Sequence, residues 1–398
     1  MPNPAAPVQN STGMDLRNSD PAISDQPGSD QGAMPQFKLP QFKLDHVDRL
    51  TDDTGMMQHA IFTLPNRAEG YATDDNARAL ILTVLLEQCV GKFEAMAAMA
   101  DWPFRYLALL EHAFNSENKR FRNFLGYDRR WMERQGSEDS HGRALWALGT
   151  VLGRSVDPGL KGAAQRLFDL SLPVVMDFYS PRACAYTLLG VEEYLKSDSG
   201  HPDALRARFA LSRRLLEMYD AIRTSQWKWF ENVVAYGNAR LPQAMLVVGA
   251  ACGDERMVSV GLESLEWLMG LQRDLITGHF APIGSHGFYR RGGQKARFDQ
   301  QPLEAAGAVS ACLQAYRMTG EEHWYVDARS AFQWFLGEND LHRPLYDSGT
   351  GGCRDGLHPD SVNQNQGAES TLSYLMAALE IHSFAKTDNP QERSEDPS

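Results

Sequence analysis

Gly70-Tyr71-Ala72-Thr73-Asp74-Asp75-Asn76-Ala77-Arg78-Ala79-Leu80 opens a helix on a dense polar set and runs on into Ile81-Leu82. Thr73 or Asp74 is a natural N-cap, and acids in a first turn suit the positive end of a helix dipole. One capping oxygen is enough to start a structural helix. Two acids, an amide and an arginine ahead of a wholly apolar body predict the polar floor of a site instead.

The same pattern returns along the chain. Helix-like runs begin near Asn76, Gly142, Arg182, Leu241, Pro302 and Ser370, each apolar almost all round, as in Ala144-Leu145-Trp146-Ala147-Leu148-Gly149. A helix apolar on every face is buried on every face. Charged, amphipathic runs alternate with them near 93–115, 160–178, 203–223, 255–272 and 322–337. The spacing of the inner starts fits one helical hairpin and a loop per unit. Six buried helices alternating with five exposed ones predict an all-α fold, an (α/α)6 toroid over residues 70–386. The sixth outer helix is missing from the sequence; either the N-terminal arm fills its place or the ring is imperfect.

Outside the ring, residues 1–34 are too poor in large apolar groups to offset their ordering entropy and are expected as a disordered tail, as are 387–398. Between tail and ring, 35–69 reads as an extended arm and lead-in. A tandem Pro-Gln-Phe-Lys-Leu there presents Phe37 and Phe42 for docking, and Asp52-Asp53-Thr54-Gly55 signals a turn. Strand signals are few; 227–236 and 276–290 are expected as small hairpins.

The formal net charge of −12 argues against nucleic-acid or anionic-membrane partners, which need a basic face. No window approaches the roughly 18 apolar residues of a membrane span, and no basic segment leads into an apolar one at the N-terminus, so cytoplasm is expected. Cys89, Cys184, Cys252, Cys312 and Cys353 are odd in number and scattered, which disfavours disulfides and zinc. No metal or cofactor is expected. Trp131, Trp227 and Trp229 read as packing residues, and the oligomeric state is left open.

In such a ring the inner helices run parallel, so the residues before each converge on one bowl. Read in order, they are His59, Tyr71, Asp74, Asp75, Asn76 and Arg78; Asp139, His141 and Arg143; Arg182; Glu231, Asn232, Tyr236, Arg240 and Gln243; Asp299, Gln300 and Glu304; His358, Gln366 and Glu369. Carboxylates and amides match sugar hydroxyls, and aromatic rings stack on sugar faces. An oligosaccharide is the expected partner. Glycoside cleavage needs one carboxylic acid and one carboxylate. Ring closure makes the Asp74–Asp75 pair a neighbour of Glu369. Glu369, flanked by Ala368 and an apolar helix body, is expected to titrate high and serve as acid. Asp74 or Asp75, facing a dipole and Arg78, is expected as base. Glu231, Asp139, Asp299 and Glu304 are rivals for either role.

Asp52-Asp53-Thr54-Gly55-x-x-Gln58-His59-Ala60, then Pro65, then Gly70-Tyr71-x-x-Asp74-Asp75-Asn76-Ala77-Arg78-Ala79-Leu80 resembles a bacterial family of α/α-toroid proteins. Members are described as glycosyltransferase- or glycoside-hydrolase-like, stand alone or behind a glycosyltransferase domain, and often neighbour β-mannoside phosphorylases. The similarity spans about residues 45–386. With no glycosyltransferase domain ahead of it here, nucleotide-sugar chemistry is not expected. The architecture is similar to that of inverting glycosidases in which an early Asp is base and a late Glu is acid, a layout that Asp74, Asp75 and Glu369 match in position and chemistry. The resemblance implies an enzyme acting on a mannose-containing or related oligosaccharide.

A glycoside hydrolase, inverting, is therefore the leading expectation. Sugar epimerases and isomerases use the same ring with paired histidines, for which His59, His141 and His358 are available. A non-catalytic toroid that binds saccharide or protein is the third class.

Overall fold

The computed structural model describes residues 40–88 and 99–387. The tail expected at 1–34, Phe37, Cys89, and the tail after Thr387 lie outside the described residues. Twelve α-helices follow in order among the described residues: α1 (Asp45–Leu50), α2 (Thr73–Glu87), α3 (Trp102–Ala113), α4 (Glu138–Arg154), α5 (Pro158–Ser171), α6 (Pro181–Leu195), α7 (Pro202–Ile222), α8 (Arg240–Cys252), α9 (Glu255–Leu271), α10 (Pro302–Thr319), α11 (Glu322–Leu336) and α12 (Ala368–Thr387). The even-numbered helices pack in sequence, α2 on α4 and onward to α12, and α12 returns to α2. Each odd helix from α3 to α11 packs against the inner helix before it. This is the expected (α/α)6 toroid.

Burial follows the sequence pattern. From Ala77 to Val84 every residue of α2 is buried, as expected of a helix with no polar face. On α5 and α7 only one stripe is covered. Where α4 crosses α6 the backbones touch: a Cβ on Gly142 would lie 2.7 Å from the Ala183 carbonyl, and Cβ atoms on Gly149 and Gly190 would collide with the facing helix. Gly149→Ala should push α4 off α6 and lower stability by about 1–3 kcal/mol. An unchanged urea midpoint would refute this contact.

Three details depart from the sequence expectation. Neither Thr73 nor Asp74 caps α2; Ala72 precedes it, and no side chain accepts from its first turn. The chain enters α2 from a short strand, Tyr71–Ala72, paired with Phe124–Leu125. Thr73 is already the first residue of the helix, and it donates its N–H to the Asn123 carbonyl and its hydroxyl to the Arg122 carbonyl. The expected hairpins at 227–236 and 276–290 are one sheet instead, Val233–Val234 pairing with Tyr289–Arg290 across the two loops. The lead-in expected as extended contains α1, which packs against α12 where the outer ring lacks a helix.

The arm is fastened beside it. Tyr346 donates to the Gln41 carbonyl at 2.8 Å and Lys43 to the Ser348 carbonyl at 2.7 Å. The turn at Asp52 forms as expected, its carboxylate accepting the N–H groups of Thr54 and Gly55. A Cβ on Gly55 would lie 2.5 Å from Asn76 Oδ1, so this motif glycine admits the asparagine that holds the lead-in. Trp227 and Trp229 are packing residues, fully covered.

Candidate active site

The starts of α2, α4, α10 and α12, together with the loop before α8, border one depression with two lobes. The first, of about 400 Å³, is lined by Asp74, Ser137, Asp139, Arg143, Tyr236 and Phe288 among others. The second, of about 490 Å³, includes Gln58, His59, Asp75, Asp299, Asp355 and His358. Asp74, Phe124, Ser285, Gln301 and Glu369 line both. Of the three carboxylates singled out in the sequence, Asp74 and Glu369 stand on the boundary between the lobes, and Asp75 lines the second lobe alone.

Arg78 lies under that boundary. Its Nη1 meets Asp74 at 3.2 Å and Asp75 at 2.7 Å, while Nη2 meets Glu369 at 2.5 Å. Since one planar guanidinium spans both, the bound oxygens of Asp74 and Glu369 lie within about 8 Å of each other. Exposure separates the adjacent aspartates. Asp74 has a side chain 30% exposed toward the cavity, whereas that of Asp75 is 8% exposed. Burial opposes the charge on Asp74, but Arg78 and Arg143 outweigh it and hold the carboxyl below its usual range. For Asp75, burial and then the neighbouring Asp74 charge prevail over Arg78 and push the carboxyl well above its usual range. Two adjacent carboxyls oppose each other's charge, and the charged form is disfavoured more strongly at the more deeply buried of them, Asp75. Glu369 is not in the apolar setting expected for it: it is ion-paired to Arg78 and 36% exposed.

On the wall of the first lobe, Asp139 accepts from the Ser180 hydroxyl at 2.5 Å and the Tyr236 hydroxyl at 2.7 Å. Arg143 lies over the Tyr186 ring with its Nε 4.0 Å from Asp74. In the second lobe, His358 Nδ1 is 2.5 Å from Asp299, and His59 is exposed.

Other expected sugar contacts have structural tasks. Tyr71 is buried and donates to Asp52 at 2.6 Å. Asn76 is wholly buried and holds Met56 through both its N–H and carbonyl. Gln300 reaches the second lobe, yet its amide is spent on Asp340 and Trp334. Glu304 accepts from Gly237 and Asn238, fastening the loop before α8. Gln366 bonds Thr350 and Asp347. Arg182 pairs with Glu231 at 2.6 Å and Arg240 with Gln243 at 2.6 Å; none of these four lines a lobe, nor does Asn232. The missed lining residues Phe124, Ser285 and Phe288 come from the long loops before α4 and α10. Their only advance signal is that aromatic residues recur in those loops.

His141 is a core residue rather than a sugar contact. Its ring sits between Phe121 and Phe178 and reaches the Ser171 carbonyl at 3.0 Å. Burial, then the Arg120 charge, push its pKa down to about 3. The unfolded imidazole titrates near 6.5. Its contribution to stability is therefore complete above pH 6.5 and is lost as pH falls toward 3. Between pH 7 and pH 5 the wild type should lose about 2 kcal/mol more stability than His141→Gln. Parallel pH profiles in urea unfolding would refute the assignment.

Asp274, His279 and Asp340 are near enough to share a cation. That position already has one: Arg297 donates to Asp274 at 2.6 Å and also to Asp340.

No family model and no curated protein matches the chain. Solved structures resemble it in fold. Cellobiose 2-epimerase from Bacillus thermoamylovorans B4167 superposes with a TM-score of 0.65 at 13% identity, covering 87% of this chain and 96% of that one. A D-mannose isomerase gives 0.66 at 11% identity, covering 86% and 96%. An α-1,6-mannanase from Salegentibacter sp. HEL1_6 gives 0.58 at 11% identity, covering 85% and 95%. That mannanase holds α-1,6-mannotetrose and is an inactive variant with two consecutive aspartates replaced by alanine. These likenesses establish the (α/α)6 toroid, the ring on which these sugar-acting enzymes are built.

Proposed function

We propose that the protein is a glycoside hydrolase acting on short, neutral, mannose-containing oligosaccharides. The observation that carries this reading is the position of Asp74 and Glu369 on the boundary between two lobes, one on each side of a would-be scissile bond. Asp74, held ionised, is the base that takes a proton from water as it attacks the anomeric carbon. Glu369, the other carboxyl at the boundary and 36% exposed, is the partner acid: it must leave Arg78 and take a proton from water before it can protonate the departing glycosidic oxygen. Asp75, the more buried of the twin acids, borders the second lobe and acts as a positioning residue through Arg78. Inversion is the stereochemistry proposed, and the anomer first released by the enzyme decides it. Phe124, half-exposed between the lobes, is a platform for a sugar face. The twin aspartates of the inactive mannanase variant supply a chemical parallel. Thiols left unpaired at Cys184, Cys312 and Cys353 suit the cytoplasm.

The deciding experiment incubates the protein with manno- and gluco-oligosaccharides and follows the products by chromatography and by NMR of the newly formed anomer. Monosaccharide release supports hydrolysis; intact oligosaccharides throughout reject it. A second reading, sugar epimerisation or isomerisation, rests on the Asp299–His358 pair facing His59 across the second lobe. It predicts a changed reducing sugar with no bond to a second sugar cleaved. Since His141 is sealed in the core, His358 and His59 carry that alternative by themselves.

A further inference from the structure

Arg143 is buried to all but 6% of its surface, yet it donates no hydrogen bond to any described residue. Its guanidinium is supported from below by the Tyr186 ring, 4.2 Å away, and lines the first lobe. The nearest carboxylate oxygen, on Asp74, is 4.0 Å from Nε and beyond hydrogen-bond reach. A guanidinium has five N–H donors, and those of Arg143 open onto the lobe, where the hydroxyl of a ligand can accept from them. Arg78 and Arg182, its neighbours in the ring, both have carboxylates at 2.5–2.6 Å. The donors of Arg143 are kept for something that enters the lobe.

The rest of the lining defines what that is. Asp74, Asp139 and Glu369 border the same lobe, so an anionic group would meet three carboxylates for one guanidinium. A sugar hydroxyl accepts and donates at once. Asp139 and Arg143 are four residues apart on α4 and share one helix face, and Asp139 is held in place by Ser180 and Tyr236. A hydroxyl between them can accept from Arg143 while donating to Asp139, which satisfies both without adding charge.

We propose that Arg143 is a specificity-determining residue, which grips an uncharged, hydroxyl-bearing sugar ring in the lobe between α4 and the loop before α8 and excludes acidic sugars from it. This rests on the saccharide-cleaving reading of the same depression. Hydrogen bonds to charged groups contribute about 1.5–3 kcal/mol, equivalent to about 10–100-fold in affinity.

The test titrates mannotetraose, mannose 6-phosphate and inorganic phosphate calorimetrically into the wild-type protein and into Arg143→Met and Arg143→Lys, with circular dichroism to confirm folding. Mannotetraose should bind Arg143→Met about 10–100-fold more weakly than wild type, and Arg143→Lys, which keeps a donor and a charge, should recover part of the loss. Where turnover is measurable, KM should rise by that factor; kcat is no control, because Arg143 also helps hold Asp74 ionised. Phosphate and mannose 6-phosphate should not bind through Arg143. Unchanged mannotetraose affinity in Arg143→Met, Arg143-dependent phosphate binding, or no saccharide binding by the wild type would each overturn the proposal. Because binding is read without turnover, a protein that binds through Arg143 and cleaves nothing defeats the hydrolase reading alone.

Discussion

Asp74→Asn should lower the rate of oligosaccharide cleavage by about 10²–10⁴-fold, and Glu369→Gln should do the same, with the fold of each intact. Both substitutions keep the shape of the side chain and its hydrogen bond to Arg78 while removing proton transfer. Asp74 is the more exposed of the twin acids and the one held ionised, so its loss removes the base itself. Asp75→Asn replaces the more buried acid, whose charge burial and Asp74 both disfavour, so its effect should be smaller than that of Asp74→Asn. Single-turnover measurements on a cleavable mannoside decide the ranking. Near-normal rates in both Asp74→Asn and Glu369→Gln, or a larger loss in Asp75→Asn than in Asp74→Asn, would contradict the assignment.

The second large effect is on stability. Arg78→Met takes away the one cation that pairs with all three of Asp74, Asp75 and Glu369, leaving Arg143, 4.0 Å from Asp74, to offset their charge. Removing one partner from a buried ion pair costs about 3–5 kcal/mol. Arg78→Lys should fall between wild type and methionine, because one ammonium keeps the charge but cannot reach three carboxylates at once. Urea unfolding at neutral pH measures both. A methionine variant as stable as the wild type would mean that these acids are not held by Arg78.

The two predictions are linked. The charge on Asp74 disfavours a second charge on Asp75, and both acids lean on the same guanidinium. Asp74 and Asp75 are the same residue type in adjacent positions at a helix start, and about 100° of helical rotation separates their directions. One direction leads to the boundary between the lobes and the other to a more covered wall of the second lobe, against Arg78.

The sequence by itself determined the ring. Helices that are apolar on all faces have no stable place at a surface, and six of them alternating with amphipathic ones leave a closed double layer as the arrangement that buries them. It also determined that the polar helix starts meet, since parallel inner helices share an end; Asp74, Asp139, Asp299, His358 and Glu369 all border the depression. Only the tertiary structure decided which polar groups face the hollow. Glu304 and Asn76 look as functional in the sequence as Asp74 does, but they satisfy backbone groups 67 and 20 residues away, and nothing local encodes those partners. Phe124, Ser285 and Phe288 lie on loops that have no periodicity to read, so their place at the boundary comes from packing alone. His141 appeared as a polar residue at a helix start; enclosed by Phe121 and Phe178, it is part of the core, because burial is a property of what surrounds a residue rather than of its position in the chain.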